Sequence, residues 1–167
     1  YKNLVARRAC ALAVTSFFSL FSLQTAAQSP TVALPPVKAA FVYVTPLTEA
    51  GWVRQHERGR LAVEAALGDR VQTTYVENVA EGADAERVIR DLAREGNQII
   101  FTPSFGYMEP TLKVAREFPA VKFESITGYK TAPNVATANA RYYEGRYLAG
   151  IAAGRLATQA GYVAGFP

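Results

Sequence analysis

Cysteine and histidine are nearly absent from this sequence of 167 residues. The single cysteine, Cys10, excludes a disulfide framework and a cysteine-based zinc site. The single histidine, His56, excludes multi-histidine metal sites, and a Ser-His-Asp mechanism would depend on this one side chain. The composition therefore predicts no resident metal ion.

Acidic residues are missing from the first part of the chain, where the first acid is Glu49. Three of the 18 basic residues, Lys2, Arg7 and Arg8, stand in the first eight positions, and the remaining 15 face 14 acidic ones. No basic surface for nucleic acid is therefore expected. With 50% hydrophobic and 19% charged residues, the composition is typical of one globular domain.

Common cofactor and catalytic motifs are absent as well. The first predicted strand is followed by PLTEAG (46–51), which does not supply the G-x-G-x-x-G fingerprint of dinucleotide-binding proteins. No G-x-x-x-x-G-K phosphate loop occurs, and Ser104 stands before Phe105 and Gly106 instead of in a G-x-S-x-G elbow. The sequence therefore predicts no cofactor and does not favour an enzyme.

Residues 1–27 have the pattern of a secretory signal peptide. The basic start is followed by a mostly apolar run over 9–23, and Thr25 and Ala27 place small residues at a cleavage site. The run is about 15 residues long, whereas a membrane span needs roughly 20, so a cleaved signal is favoured over an anchor. Cys10 lies at the start of the run, whereas a lipidated cysteine should follow it, which argues against lipidation. A polar, proline-rich lead-in over 28–37 is expected to be flexible.

The rest of the chain alternates predicted strands and helices. Strands are predicted at 39–45, 71–77, 98–102, 121–126, 134–138 and 161–165. Helices are predicted at 52–67, 84–95, 109–118 and 142–156. This alternation indicates βαβ units and therefore an α/β fold with a mainly parallel sheet.

The spacing of apolar residues predicts which helix faces are buried. The first helix has one stripe, formed by Trp52, His56, Gly59, Val63 and Ala66. The second is clearly amphipathic, with a pair of Glu86 and Arg90 one turn apart and an inward face of Ala85, Val88, Ile89 and Leu92. The helix at 142–156 has little polar surface and is predicted to be well buried.

Ligands of open α/β sheets bind beyond the carboxyl ends of the strands, here the loops 46–52, 77–84, 103–109 and 127–133. These loops carry aromatic residues beside polar ones, namely Trp52, Phe105, Tyr107 and Tyr129. Flat rings and polar edges suit a planar heteroaromatic ligand, although each ring could instead pack in the core. His56 is either a packed side chain or a base, and Glu144 either a helix-start charge or a ligand contact.

Five motifs occur in unbroken order over about 130 residues: FVYVTPLTEAGW (41–52), YVENVAEGADAERVIRDLAREG (75–96), TPSFGYMEPTLKVAREFPAVKFE (102–124), TGYKTAPNVAT (127–137) and ARYYEGRYLAGIAAG (140–154). On these motifs, residues 38–167 resemble the first lobe of the BMP (basic membrane protein) family of ABC-transporter substrate-binding proteins, also called PnrA-like. The resemblance implies a type I periplasmic binding fold, with a doubly wound sheet, helices on both faces and two lobes that close on the ligand. Residues 38–167 would then form an incomplete N-terminal lobe, with the second lobe absent.

The resemblance also implies a binding site. Nucleoside-binding relatives carry an acid, a stacking ring and an asparagine in the first loop, where this chain has Glu49, Trp52 and Val53. Their base-reading aspartate is replaced by Thr127 and Gly128, which is compatible with a smaller ligand such as a free purine base. The candidate ligand-binding residues are Glu49, Gly51, Trp52, Ser104, Phe105, Gly106, Tyr107, Thr127, Gly128, Tyr129 and Glu144.

The function implied is that of an extracytoplasmic, periplasmic protein that binds a purine base or nucleoside by aromatic stacking and domain closure. Its partner would be an ABC permease in the inner membrane, and it would not span the membrane after signal cleavage. A sensory receptor module that presents the same lobe to a membrane signalling protein remains an alternative. A nucleoside hydrolase would need clustered acids, whereas Glu49, Glu77 and Glu81 are isolated in the sequence.

Overall fold

The computed structural model of this protein describes residues 34–161. The predicted signal peptide, most of the lead-in and all but the first residue of the strand predicted at 161–165 lie outside this range. Among the described residues, no helix combines the length and the apolar character needed to cross a membrane.

The core is a parallel sheet of five strands in the order β2-β1-β3-β4-β5. The strands are β1 (Val37–Val42), β2 (Val71–Val76), β3 (Ile99–Thr102), β4 (Lys122–Ile126) and β5 (Val135–Ala138). Every predicted strand within the described range is present, with ends that differ by at most three residues. The predicted α/β class with a parallel sheet is thereby confirmed.

Four helices accompany the sheet: α1 (Trp52–Leu67), α2 (Ala83–Arg94), α3 (Met108–Glu117) and α4 (Tyr142–Leu156). The bounds of α1 and α4 are those predicted, and α2 and α3 begin and end one residue earlier than predicted. Two short 3-10 turns, Gly68–Arg70 and Phe105–Tyr107, were not predicted.

Helices α2 and α3 cover one face of the sheet. The predicted inward face of α2 is confirmed, because Ala85, Val88, Ile89 and Leu92 are all buried against sheet residues such as Ile100. The predicted pair is also confirmed, with 2.7 Å between Arg90 Nη2 and Glu86 Oε1. Arg90 also pairs with Glu117 of α3 at 2.8 Å, so one guanidinium joins both helices.

Helix α1 covers the opposite face, where Ala39, Phe41 and Val53 form a second, smaller core. The stripe predicted for α1 is wrong, because Trp52, Gly59, Val63 and Ala66 are exposed. The buried residues of α1 are instead Val53, Glu57 and Arg60. Charged side chains can occupy this face because they pair with each other, with 2.6 Å between Arg60 Nη2 and Glu57 Oε1.

Helix α4 also differs from its prediction. Every residue of α4 is exposed, including large apolar ones such as Leu148 and Ile151, so the predicted burial is wrong for the described chain. The low polarity of a helix shows that covering it would be favourable, but it does not provide the covering element. Within residues 34–161 no element buries α4.

Candidate functional site

A cavity of about 580 Å³ lies at the carboxyl ends of the strands. Each of the four loops proposed from the sequence contributes to it, and the residue after β5 and the start of α4 add to its wall. The lining residues are Val44, Trp52, Glu81, Ser104, Phe105, Thr127, Asn139, Tyr142 and Arg146. The parallel sheet brings these side chains together because all five strands end at the same edge.

Trp52 is the first residue of α1, and both its backbone and its ring are held in place. Gly51 before it has a φ of 97°, a left-handed conformation that a side chain would strain. The indole Nε1 donates to the Pro103 carbonyl oxygen at 2.6 Å, which satisfies the only donor of the ring. The indole is 38% exposed and lines the cavity, so a ring surface remains available for contact.

Two further rings surround the indole. The His56 ring meets it edge-on, with 4.5 Å between centroids, and the Tyr142 ring lies at 5.9 Å. Burial lowers the pKa of His56 below its usual value of 6.5, so the imidazole is neutral at pH 7. The imidazole beside the Trp52 ring therefore carries no charge near neutral pH.

A carboxylate and a hydroxyl form the polar part of the wall. Ser104 Oγ donates to Glu81 Oε1 at 2.5 Å. A Cβ on Gly106 would lie 2.1 Å from the carboxyl carbon of Glu81, so only glycine leaves this carboxylate in place. Gly106 therefore leaves space for the Glu81 side chain, which comes from another loop.

The loop after β4 is strained and carries unsatisfied hydroxyls. Thr127 has a φ of 73°, uncommon for a branched residue, and its N–H donates to the Ala138 carbonyl oxygen at 2.8 Å. Ser125 Oγ and Thr127 Oγ1 are buried without a hydrogen-bond partner in the described part of the chain. Such strain and unpaired polar atoms are found together at ligand sites more than elsewhere.

Comparison with known proteins shows the family of this chain. A family model described as ABC transporter substrate-binding protein PnrA-like matches residues 36–167. The chain belongs to this family. The family is one of ABC transporter substrate-binding proteins.

Three individual relatives of this PnrA-like chain are informative. A protein named purine-binding protein, from Brucella abortus (strain 2308), is 54% identical over 133 residues, covering 78% of this chain and 38% of that protein. A protein named as an ABC transporter glucose-binding protein, from Haloferax volcanii, is 41% identical over 133 residues, covering 78% of this chain and 34% of that protein. A solved solute-binding protein of an ABC transporter system from Conexibacter woesei matches with a TM-score of 0.63 and 25% identity, covering 71% of this chain and 40% of that structure. The chain thus spans less than half the length of each of them.

Several candidate residues of the PnrA-like site lie close together in the structure. Trp52, Ser104, Phe105 and Thr127 line the cavity. Gly51, Gly106 and Gly128 are next to these residues in the sequence. A Cβ on Gly128 would lie 2.5 Å from Ser125 Oγ, so a side chain there would displace this hydroxyl. The Tyr129 ring stands 6.2 Å from that of Phe105, which lines the cavity.

Three candidates do not reach the cavity. Tyr107 is fully buried, and its hydroxyl donates to the Val79 carbonyl oxygen at 2.6 Å, while burial raises its pKa. Glu49 is exposed, with 3.9 Å between its carboxylate and Arg54. Glu144 pairs with Arg141 at 3.2 Å and lies beside Tyr147 on another part of α4.

The cavity also contains residues that sequence reasoning missed: Val44, Glu81, Asn139, Tyr142 and Arg146. Glu81 lies in a loop that was already singled out, and its place beside Ser104 is visible only in the structure. Asn139 directly follows β5, so extending the strand-end rule to the fifth strand would have found it. Tyr142 and Arg146 belong to α4, whose predicted burial gave no reason to consider them.

Proposed function

We propose that this protein is an extracytoplasmic substrate-binding protein that binds a purine base or nucleoside and delivers it to an ABC permease in the inner membrane. The observation that carries the proposal is the indole of Trp52, held by its hydrogen bond to Pro103 with ring surface in the cavity. A fixed ring beside polar groups suits stacking on a planar base.

The size and the wall of the cavity support a small planar ligand. About 580 Å³ lies within the usual range of roughly 300–1,000 Å³ for small-molecule sites. The aromatic side chains of the wall are those of Trp52, Phe105 and Tyr142, and Glu81 and Asn139 provide polar groups. The name of the Brucella abortus relative, a purine-binding protein at 54% identity, favours the same class of ligand.

Domain closure is part of the proposal. The described residues belong to the proposed N-terminal lobe over 38–167, and the cavity is open at the edge of the sheet. A second lobe that closes over this edge would bury the ligand on its other side. Residues 1–27 are proposed as a signal peptide cleaved near Ala27, which places the mature protein in the periplasm.

Two alternatives are separated by experiment. The Haloferax volcanii relative, named as glucose-binding and 41% identical, makes a sugar the second candidate ligand. A sensory module with the same ligand would require a membrane signalling partner in place of a permease. Genes for a permease and an ATPase beside this one favour import, whereas a histidine kinase gene favours sensing.

A thermal-shift panel on the protein expressed from its complete gene tests the ligand class. The panel holds adenine, guanine, hypoxanthine, their nucleosides, glucose and several amino acids. Ligand at about 1,000 times its Kd adds roughly 4 kcal/mol to the free energy of unfolding, which raises Tm by several degrees. A shift with purines alone supports the proposal, and a shift with glucose alone overturns it.

The role of Trp52 is tested by Trp52→Ala. The variant is expected to bind the purine about 5- to 150-fold more weakly, corresponding to about 1–3 kcal/mol of lost stacking. Affinity of the variant is measured by calorimetry.

Two controls make the Trp52 result specific. Trp52→Phe keeps an aromatic face and should retain most of the affinity. Leu61→Ala removes an exposed apolar side chain from the same helix, away from the cavity, and should leave Kd unchanged. Equal affinity of Trp52→Ala and the wild type would remove Trp52 from the site.

A further inference from the structure

Glu81 is a cavity carboxylate held on an anchored loop. The loop between β2 and α2 is fixed at Val79, whose N–H donates to the Tyr43 carbonyl oxygen at 3.0 Å and whose carbonyl accepts from Tyr107 Oη at 2.6 Å. Asn78 next to it adopts a φ of 57°, a left-handed conformation that turns the chain. Two residues further on, Glu81 therefore starts from a fixed backbone position, as a preorganised ligand contact requires.

The Glu81 side chain is positioned from the neighbouring strand end. Ser104 is buried and donates its hydroxyl proton to Glu81 Oε1 at 2.5 Å. The absence of a side chain at Gly106 provides the space that the carboxylate occupies. Two loops thus hold one acceptor in the cavity, and the hydrogen bond from Ser104 uses the Glu81 Oε1 atom.

The hydrogen-bonding capacity of this pair is one-sided. A carboxylate accepts hydrogen bonds and donates none. Ser104 has committed its only proton to Glu81, so its remaining capacity is that of an acceptor as well. A ligand that faces Glu81 and Ser104 must therefore offer N–H or O–H donors, and an oxo group there would leave acceptors facing each other.

We propose that Glu81, supported by Ser104 and Gly106, is the specificity-determining residue that selects a purine with an exocyclic amine. This assignment rests on the proposed purine function and deepens it, because it names adenine or guanine as the ligand class in preference to hypoxanthine. Hypoxanthine carries an oxo group where adenine has its amine and lacks the 2-amine of guanine. It is therefore the reference compound for both candidates.

The test compares Kd values for adenine, guanine and hypoxanthine, measured by calorimetry on the protein expressed from its complete gene. The wild type is expected to bind one of the two aminopurines at least about tenfold more tightly than hypoxanthine, the scale of one charge-assisted hydrogen bond. Which of the two is preferred identifies the edge that Glu81 contacts.

Two variants perturb the carboxylate in different ways. Glu81→Gln keeps the shape but removes the charge and adds a donor, so the preference for the amine should fall by about tenfold. Gly106→Ala keeps the charge but forces the carboxylate aside, and the same loss of preference is expected. Glu77→Gln is the matched control, because Glu77 lies in the same loop but accepts from the Leu47 N–H at 2.7 Å outside the cavity lining.

The outcomes separate this assignment from the proposed function. If the wild type binds no purine, the proposed function and the assignment both fail. If it binds purines without an amine preference, or if Glu81→Gln keeps that preference while its Tm shows a folded protein, the assignment alone is overturned. A preference lost in Glu81→Gln and Gly106→Ala but kept in Glu77→Gln supports it.

Discussion

Helices α1 and α2 pack on opposite faces of the same sheet with different chemistry. The buried face of α2 is apolar and includes Val88, Ile89 and Leu92. The buried face of α1 is formed by Val53 together with Glu57 and Arg60. The Arg60 guanidinium donates two hydrogen bonds to the Glu57 carboxylate. Apolar spacing in the sequence locates a buried face only where that face is apolar.

The polar face of α1 is a connected network. Glu57 accepts two bonds from Arg60, at 2.6 and 2.8 Å, and one from the Tyr43 hydroxyl at 3.0 Å. Arg60 also donates to Thr73 and to Glu64, at 2.6 and 2.9 Å, and so reaches β2. The bonds from Arg60 are the main reason that the pKa of Glu57 lies below its usual value. The network thus fixes the helix that begins with the stacking candidate Trp52.

The largest effect is expected when this network loses its centre. Glu57→Ala leaves the buried Arg60 with only its outer partners and should lower the free energy of unfolding by about 3 kcal/mol, the lower part of the range for a broken buried pair. Urea denaturation measures the loss. A change below about 1 kcal/mol would show that the network does not hold α1.

The matched control replaces the network as a whole. In Tyr43→Phe/Glu57→Met/Arg60→Leu, Glu64 loses its bond from Arg60 but keeps the one from Thr73, and no buried charge is left unpaired. Most of the stability should return because apolar packing substitutes for a buried pair. If the triple variant is as unstable as Glu57→Ala, the charges themselves are needed for this face, and the contrast with α2 becomes sharper.

A smaller effect is expected from trimming the apolar face of α2. Ile89 is fully buried, and Ile89→Val removes one methylene from a packed site, which costs about 1 kcal/mol. Arg87→Ala on the exposed side of the same helix should change stability by less than about 0.5 kcal/mol. Equal losses for the two variants would contradict the assignment of the buried face.

The smallest effect concerns pH and again distinguishes the two helices. His56 of α1 has a pKa lowered by burial, so the unfolded chain binds its proton at a higher pH than the folded one. Stability from this group is present above pH 6.5 and is lost as the pH falls below that value, by at most about 1.4 kcal/mol per pH unit. Urea midpoints at pH 7.5 and 5.5 should show this loss.

The control for pH uses the fact that the chain has one histidine. His56→Gln should be less sensitive to pH between 7.5 and 5.5 than the wild type. Identical pH dependence of the two proteins would mean that His56 does not titrate differently on folding.

Helix α4 shows a different limit of sequence reasoning. Its bounds were predicted correctly, because local propensity favours a helix there. Its burial was not, because burial depends on which other elements pack on it. The chain spans 38% of its Brucella abortus relative, and the described residues leave the apolar side chains of α4 exposed.

For the candidate site too, one part was predicted from the sequence and another part was not. The strand-end rule pointed to the loops that carry Trp52, Ser104, Phe105 and Thr127, and all four line the cavity. The rule did not separate Phe105 from Tyr107, although they are two residues apart, because the 3-10 turn between β3 and α3 directs one ring outward and the other into the core.

The sequence by itself determined the order of strands and helices, the parallel sheet, the inward face of α2 and the edge of the sheet where the cavity lies, because these follow from local spacing and from the geometry of βαβ units. Only the tertiary structure decided that α1 buries Glu57 with Arg60 and that Glu81 meets Ser104 above Gly106. Glu81 and Ser104 are far apart in the sequence, and Glu57 and Arg60 do not belong to any apolar pattern. The energy of both contacts depends on distances and burial that exist only after the sheet has formed.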